Sequence, residues 1–466
     1  MKNMTKRLLC LFTAFFILLL SACVQKPQAE ETTEWEGKGE FEASDDMTDD
    51  EAKLEDRHKE YAKNSLLAFS QTVPAAENDF KVSDIEGGVK IDEYVGKSDI
   101  VVIPDTIGGV SVTGIAKNAF TEKKVRAIYI PDSVVSIEKS ALEGVVGLST
   151  LRLPVIGNGE NTYLGYIFGA DSYERNAVKV PASLDMVILG DGITEIADNA
   201  FAGCKGISAV VFSKNLEKIG KFAFYECQDL VYISLENSVK TVGEYALGYC
   251  SSLFIVSFTE IESMGLGALY ECNSIRELTL NIIGKNKNEN NYIGHIFGAE
   301  SADYNDEFVP KSLSAVNCDS VPDRAFAGCA DIDSIIISAN VECVGVRAFY
   351  GCRSLRNIVI PEGVKAIGDD AFFGCDNLES VELGSGLESI GMQAFYGCKA
   401  LKTIEMPEKI TEINASTFAL CSSLETVKLN KVKKIGKDAF WGCKSLKAVD
   451  CNGIEVADGN TDLTTD

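Results

Sequence analysis

The chain has 466 residues, with 69 acidic side chains against 44 basic ones and a formal charge of −25. A surface so poor in Lys and Arg cannot neutralise phosphate, which excludes nucleic acid and anionic headgroups as direct partners. Length alone would suggest two or three domains, but an internal repeat removes that inference, because a stacked array grows without needing a new core.

The first segment, "MKNMTKRLLCLFTAFFILLLSAC", places Lys2, Lys6 and Arg7 before an apolar run from Leu8 to Leu20. This is the three-part layout of a secretory signal, too short to be read as a spanning helix. "LSAC" at 20–23 resembles the bacterial lipobox, which implies cleavage before Cys23 and a lipid on that residue. The protein is then expected to be extracytoplasmic, meeting the membrane through its anchor only. Residues 23–80 open with a stretch rich in Glu and Asp and poor in apolar side chains. Such a stretch cannot bury enough surface to offset chain entropy, so it predicts a solvated tether.

An Ala-Phe pair or its equivalent then recurs at Ala119, Ala141, Ala200, Ala223, Ala246, Ala268, Ala325, Ala348, Ala371, Ala394, Thr417 and Ala439. Within two uninterrupted runs the period is 22 or 23 residues. One unit, "AFYGCRSLRNIVIPEGVKAIGDD", shows apolar steps that match neither a helix nor a plain alternating strand. "LRNIVIP" is its strand signal, with Ile358 and Ile360 on one face and Asn357 and Val359 on the other. One strand per repeat, stacked at about 4.8 Å, predicts a parallel sheet on the order of 55 Å long. Gly220, Gly243, Gly368, Gly391 and Gly436 are expected at corners of positive φ, and the motif glycine is expected to make room.

This template resembles the BspA-like leucine-rich repeat of bacterial surface proteins, a cysteine-containing 23-residue class, over roughly residues 81–450. The resemblance implies a repeat solenoid with a parallel sheet along one face, a β-rich N-terminal cap and a role in adhesion or protein binding. The expected boundaries are a signal peptide at 1–22, a lipidated tether at 23–80 and a cap at 81–118. A solenoid at 119–450 follows, with inserted flaps near 154–190 and 281–318, and then a tail at 451–466.

Cysteines form two ladders, Cys204 to Cys272 and Cys329 to Cys443, with rungs 22 or 23 residues apart. That spacing offers no paired metal ligands, so no metal or cofactor is expected. Export permits disulfides, but equivalent side chains in an in-register stack point the same way rather than at each other. Cys therefore reads as a small buried packing residue, which Val145 replaces in one unit and Lys123 in another. Cys318, Cys343 and Cys451 lie off the ladder.

Enzyme constellations are scarce. The histidines are His58 and His295, and the Ser-x-x-Lys pattern "SIEK" at 136–139 coincides with a repeat core position, so no catalytic residue is assigned. Binding surfaces are better supported. The insertions are copies, "YLGYIFGADSYERNAVKVPASL" from 163 and "YIGHIFGAESADYNDEFVPKSL" from 292. Their shared Ile167, Phe168, Val180, Pro181 and Leu184 suit packing onto the solenoid. The parts that differ make candidate binding loops of Asp171, Tyr173, Glu174 and Arg175, and of Asp303, Tyr304, Asp306 and Glu307. These last acids lack the spacing of a calcium loop.

On the outward sheet face, Tyr232, Ile255, Ile336 and Val359 would form an apolar stripe of the kind found at interfaces. The same pattern also fits small β-formers tolerating a crowded surface. The expected function is an adhesin or interaction scaffold recognising host or neighbouring-cell proteins. The alternative is an envelope protein without a host role that binds glycan or cell wall or scaffolds other envelope proteins; Tyr232, Tyr245, Tyr249 and Tyr270 are the aromatic candidates for glycan.

Overall fold

The computed structural model describes residues 73–235, 238–447, 449 and 453–459; the expected signal peptide, the expected lipidation at Cys23 and most of the expected tether lie outside them. Described structure starts earlier than the expected boundary at 81. Glu77–Asp79 forms a turn, and the Ala75 N–H donates to the Val102 carbonyl at 2.9 Å. The cap then opens with an antiparallel hairpin, Phe80–Ile85 against Gly88–Tyr94. Val110–Ile115 pairs with the second of these strands in parallel, and so turns the chain into the repeat.

Each regular coil contributes two parallel strands rather than the one expected. In the coil of Ala348, Asn357–Ile360 pairs with Ser380–Leu383 of the next coil, and Ala366–Ile367 pairs with Ser389–Ile390. The second strand is two residues long, too short to show alternation. Its hydrogen bonds exist only because a neighbour sits in register beside it. Its ladder also reaches into the expected tail, where Glu455–Val456 pairs with Lys434–Ile435.

Between the strands runs a Phe column. Phe349, Phe372, Phe395 and Phe418 stack with centroids 5.0 to 5.4 Å apart and planes within 20°. Offset stacking of this kind adds to area burial. The cysteine beside each ring does more than fill space. Cys352, Cys375, Cys398 and Cys421 each donate their thiol to the carbonyl of the Phe one coil back, at 3.1 to 3.3 Å. Burial pushes these thiols up in pKa where a shift is resolved, as at Cys352 and Cys375. All ladder cysteines are buried, and those from Cys204 to Cys421 are free thiols. Cys318 is a buried end residue of the strand Ala315–Cys318, and Cys343 is exposed.

The two glycine classes exchange the roles expected of them. Gly368 and Gly391 do not adopt positive φ; a Cβ on either would lie 2.6 or 2.5 Å from a backbone nitrogen of the preceding coil. The motif glycines Gly351 and Gly374 are the ones in the left-handed region, at φ 72° and 70°, with open space around them. Left-handed backbone also falls two residues after Gly368 and Gly391, at Asp370 and Gln393. Spacing alone does not distinguish a corner from a close approach, since both require the loss of Cβ.

The insertions are enlarged coils set into the stack. Leu142 N–H donates to Ile167 O, and Leu164 N–H donates to Ala200 O, so "YLGYIF" occupies the slot between two Ala-Phe coils. The copy at 292 repeats this: Leu269 N–H donates to Ile296 O, and Ile293 N–H donates to Ala325 O. Both expected insertion ends also move inward. Met186–Leu189 and Ala315–Cys318 are strands that continue the sheet, paired with Thr150–Leu153 and Glu277–Leu280.

Candidate binding face

Strand register turns the face into rows of side chains. Across one part of the sheet the first row reads Tyr232, Ile255, Glu277, Ala315, Ser334, and the second reads Ser234, Ser257, Thr279, Asn317, Ile336. The expected apolar stripe is therefore not continuous. Tyr232 and Ile255 are neighbours, but Glu277 and Ala315 follow them, and Ile336 stands in the other row. The strand Ala315–Cys318, hidden inside an insertion, sets Ile255 and Ile336 one strand further apart.

Exposure grades along the face. Tyr232 and Ile255 are half-buried, whereas Ile336 is 57% exposed and Val359 44%. Beyond Val359 the face turns polar, with Glu382, Thr403, Glu405, Thr426 and Lys428 exposed. Glu405 and Lys428 pair across adjacent strands at 2.8 Å, so part of that charge is already compensated. Their mutual exposure makes the pair worth little to stability.

Toward the N-terminal end the outward rows are Ile100, Ala127, Thr150, Met186, Ala209 and Val102, Tyr129, Arg152, Ile188, Val211. Here the central side chains are buried although they face away from the solenoid core. These residues were missed because Met186 and Ile188 fell within the expected insertion.

The enlarged coils present their variable parts as expected from the copies. Asp171, Tyr173, Glu174 and Arg175 are exposed in the first, and Asp303, Tyr304, Asp306 and Glu307 in the second. Asp171 pairs with Lys139 and Asp303 with Arg324, and the Lys139 contact holds the Asp171 carboxyl below the usual carboxylate range. Ile167, Phe168 and Leu184 are buried beneath. A residue pair not anticipated holds each tip: buried Asn176 and Asn305 accept the N–H of Gly165 and Gly294 through Oδ1, both at 2.9 Å. Their identity at equivalent places in the two copies was the available signal.

The aromatic candidates for a glycan platform turn inward on one another. Tyr245 stacks on Phe222 at 5.4 Å, and Tyr270 meets Tyr245 and Tyr249 edge-on at 5.5 Å. Tyr232 lies apart, on the sheet face. The one described histidine, His295, is buried at a coil junction, edge-on to Tyr292 at 6.0 Å. In "SIEK", Ile137 is fully buried and Lys139 is the partner of Asp171.

A stack of parallel-stranded coils, each resting on its neighbours, defines a repeat protein. The BspA type leucine rich repeat region matches at residues 106–164, 174–293 and 319–447, in six copies. The chain belongs to that family. Among solved structures, a leucine-rich repeat protein from Bacteroides ovatus is 23% identical, with 83% of this chain and 99% of that one covered at a TM-score of 0.37. A leucine rich cell surface protein from Faecalibacterium prausnitzii is 17% identical, with 77% and 95% covered at 0.27. The pneumococcal vaccine antigen PcpA is 16% identical, with 84% and 96% covered at 0.25. No curated protein matches.

Proposed function

We propose that this is an extracytoplasmic binding protein, anchored by lipid on Cys23, that recognises a protein on a host or neighbouring cell. The observation that carries the reading is the pair Ile336 and Val359, β-branched side chains exposed on an outward sheet face whose far end is polar. Apolar side chains ringed by polar ones fit the anatomy of a protein interface. The exposed tyrosines Tyr173 and Tyr304, each on a coil tip steadied by a buried Asn, offer rigid contacts beside it. The leader and the lipobox-like "LSAC" support export and anchoring. The glycan reading has less support, because the tyrosine cluster spends its ring faces on its own members.

The test is binding of the full chain to host and bacterial cells and to matrix proteins, compared with an Ile336→Glu/Val359→Lys variant. Saturable binding weakened by about tenfold or more in the variant is expected, as for a central interface pair. Equal binding by both proteins, or saturable binding on a glycan array alone, would sink the reading.

A further inference from the structure

Between its two strands a coil makes a turn that drops one apolar side chain into the core. Ile193, Leu216, Val341 and Val364 take this place; each is buried, and each N–H donates to the carbonyl three residues earlier. The second enlarged coil omits the turn. From Leu189 to Ile196 the first copy takes seven steps along the chain, whereas Cys318 reaches Val321 in three. The ends correspond: Leu189 and Cys318 close equivalent sheet strands, and Val321 bridges Val344 as Ile196 pairs with Ile219. The loop leading into the insertion is longer instead, eight steps from Gly284 to Tyr292 against six from Gly157 to Tyr163.

A cavity of about 280 Å³ lies at this place. Ile283, Val321, Pro322 and Val341 form its apolar wall, Val341 being the turn residue of the next coil. Lys287 lines it from the coil before, Asp319 from the shortened coil itself and Glu342 from the coil after. None of these three has an ion pair or a side-chain hydrogen bond with another described residue, although Lys285 nearby is paired with Glu289. Asp319 and Glu342 each stand two residues before a member of the Val321–Val344 bridge. Their backbones are therefore about 5 Å apart, and a cation between the carboxylates relieves their repulsion.

We infer that this cavity binds a free aliphatic α-amino acid. The ligand's side chain takes the place of the omitted core residue, its ammonium meets Asp319 and Glu342, and its carboxylate meets Lys287. The coils that supply Lys287 and Glu342 are two stacking steps apart, about 10 Å, which spans one amino acid and little more. The volume also falls at the small end for ligand pockets.

The first copy closes the same place with its own residues: Ile193 is buried there, and Asp191 pairs with Lys214 at 2.7 Å. Duplication followed by loss of a turn thus opened one copy and left the other as structure. The site lies at the turns beyond the strand ends, so it is independent of recognition at Ile336 and Val359.

Cys343 supplies the test in the full chain, because it lines the cavity and is exposed while the ladder thiols are buried. L-Isoleucine, L-leucine and L-valine should each slow its alkylation by iodoacetamide saturably, read by peptide mass spectrometry, and calorimetry should return the same dissociation constants. L-Leucinamide and N-acetyl-L-leucine, which each lack one charge, should bind about tenfold or more weakly than L-leucine, as for loss of a charged hydrogen-bonding group. Lys287→Gln, a change on an exposed loop, should weaken L-leucine by a similar factor. Replacing residues 319–320 with the sequence of residues 190–195 restores the turn; that variant should melt cooperatively and bind none of the three amino acids. No saturable protection in the wild type, equal binding of the blocked derivatives, or undiminished binding in Lys287→Gln or in a folded restored-turn variant would each overturn the inference.

Discussion

At the scale of single residues, two glycines in one coil do different physical work. Gly351 sits at φ 72° with open space around it, so Gly351→Ala should cost about 1 kcal/mol, the strain of a Cβ in left-handed backbone. Gly368→Ala should cost more, because its Cβ would lie 2.6 Å from the Val346 nitrogen and force neighbouring coils apart. Urea unfolding of both variants checks the order; a larger loss for Gly351→Ala would contradict it. The sequence showed that glycine was needed at both places and assigned the reasons the wrong way round. Close approach depends on a second chain segment 22 or 23 residues away, which local pattern does not display. The cysteines were half legible in the same way. Their burial follows from periodicity, while the thiol bond to the carbonyl of the preceding Phe exists only once coils are stacked.

At the scale of elements, the two enlarged coils are copies, and one of their differences puts a buried titratable group into the second. His295 stands where the first copy has Tyr166. Burial pushes His295 below its ordinary value, with the Lys285 charge adding to the effect and the Met264 backbone opposing it. The unfolded chain therefore binds a proton near pH 6.5 that the folded chain does not yet bind, and stability falls as pH drops below about 6.5. Thermal melts at pH 7.5 and 5.5 should show a smaller acid-induced drop in melting temperature for His295→Tyr than for the wild type. An equal drop would remove His295 as the cause. That the copies pack onto the stack was readable from shared Ile167, Phe168 and Leu184. That they are coils with strands of their own was not, because Met186–Leu189 and Ala315–Cys318 lack the Ala-Phe marker by which units were counted.

At the scale of the molecule, each coil bonds only to its neighbours, so stability is a sum of local stacking terms. Removing residues 371–393, one coil from Ala371 to Gln393, joins Asp370 to Ala394 in the same register. The shortened protein should keep its circular dichroism per residue and melt cooperatively at a modestly lower temperature. Collapse to an unfolded chain would show that long-range contacts dominate instead.

Period, core positions and family were determined by the sequence itself, because a short repeat that cannot bury its apolar residues alone must stack, and stacking repeats one environment many times. Which outward residues remain open to a partner was decided only in three dimensions. Alternation correctly placed Tyr232, Ile255, Ile336 and Val359 on the outward face. The separation of two outward side chains depends on how many strands intervene, and exposure depends on what lies over the sheet. Neither quantity is periodic, so neither can be read from the spacing of residues along the chain.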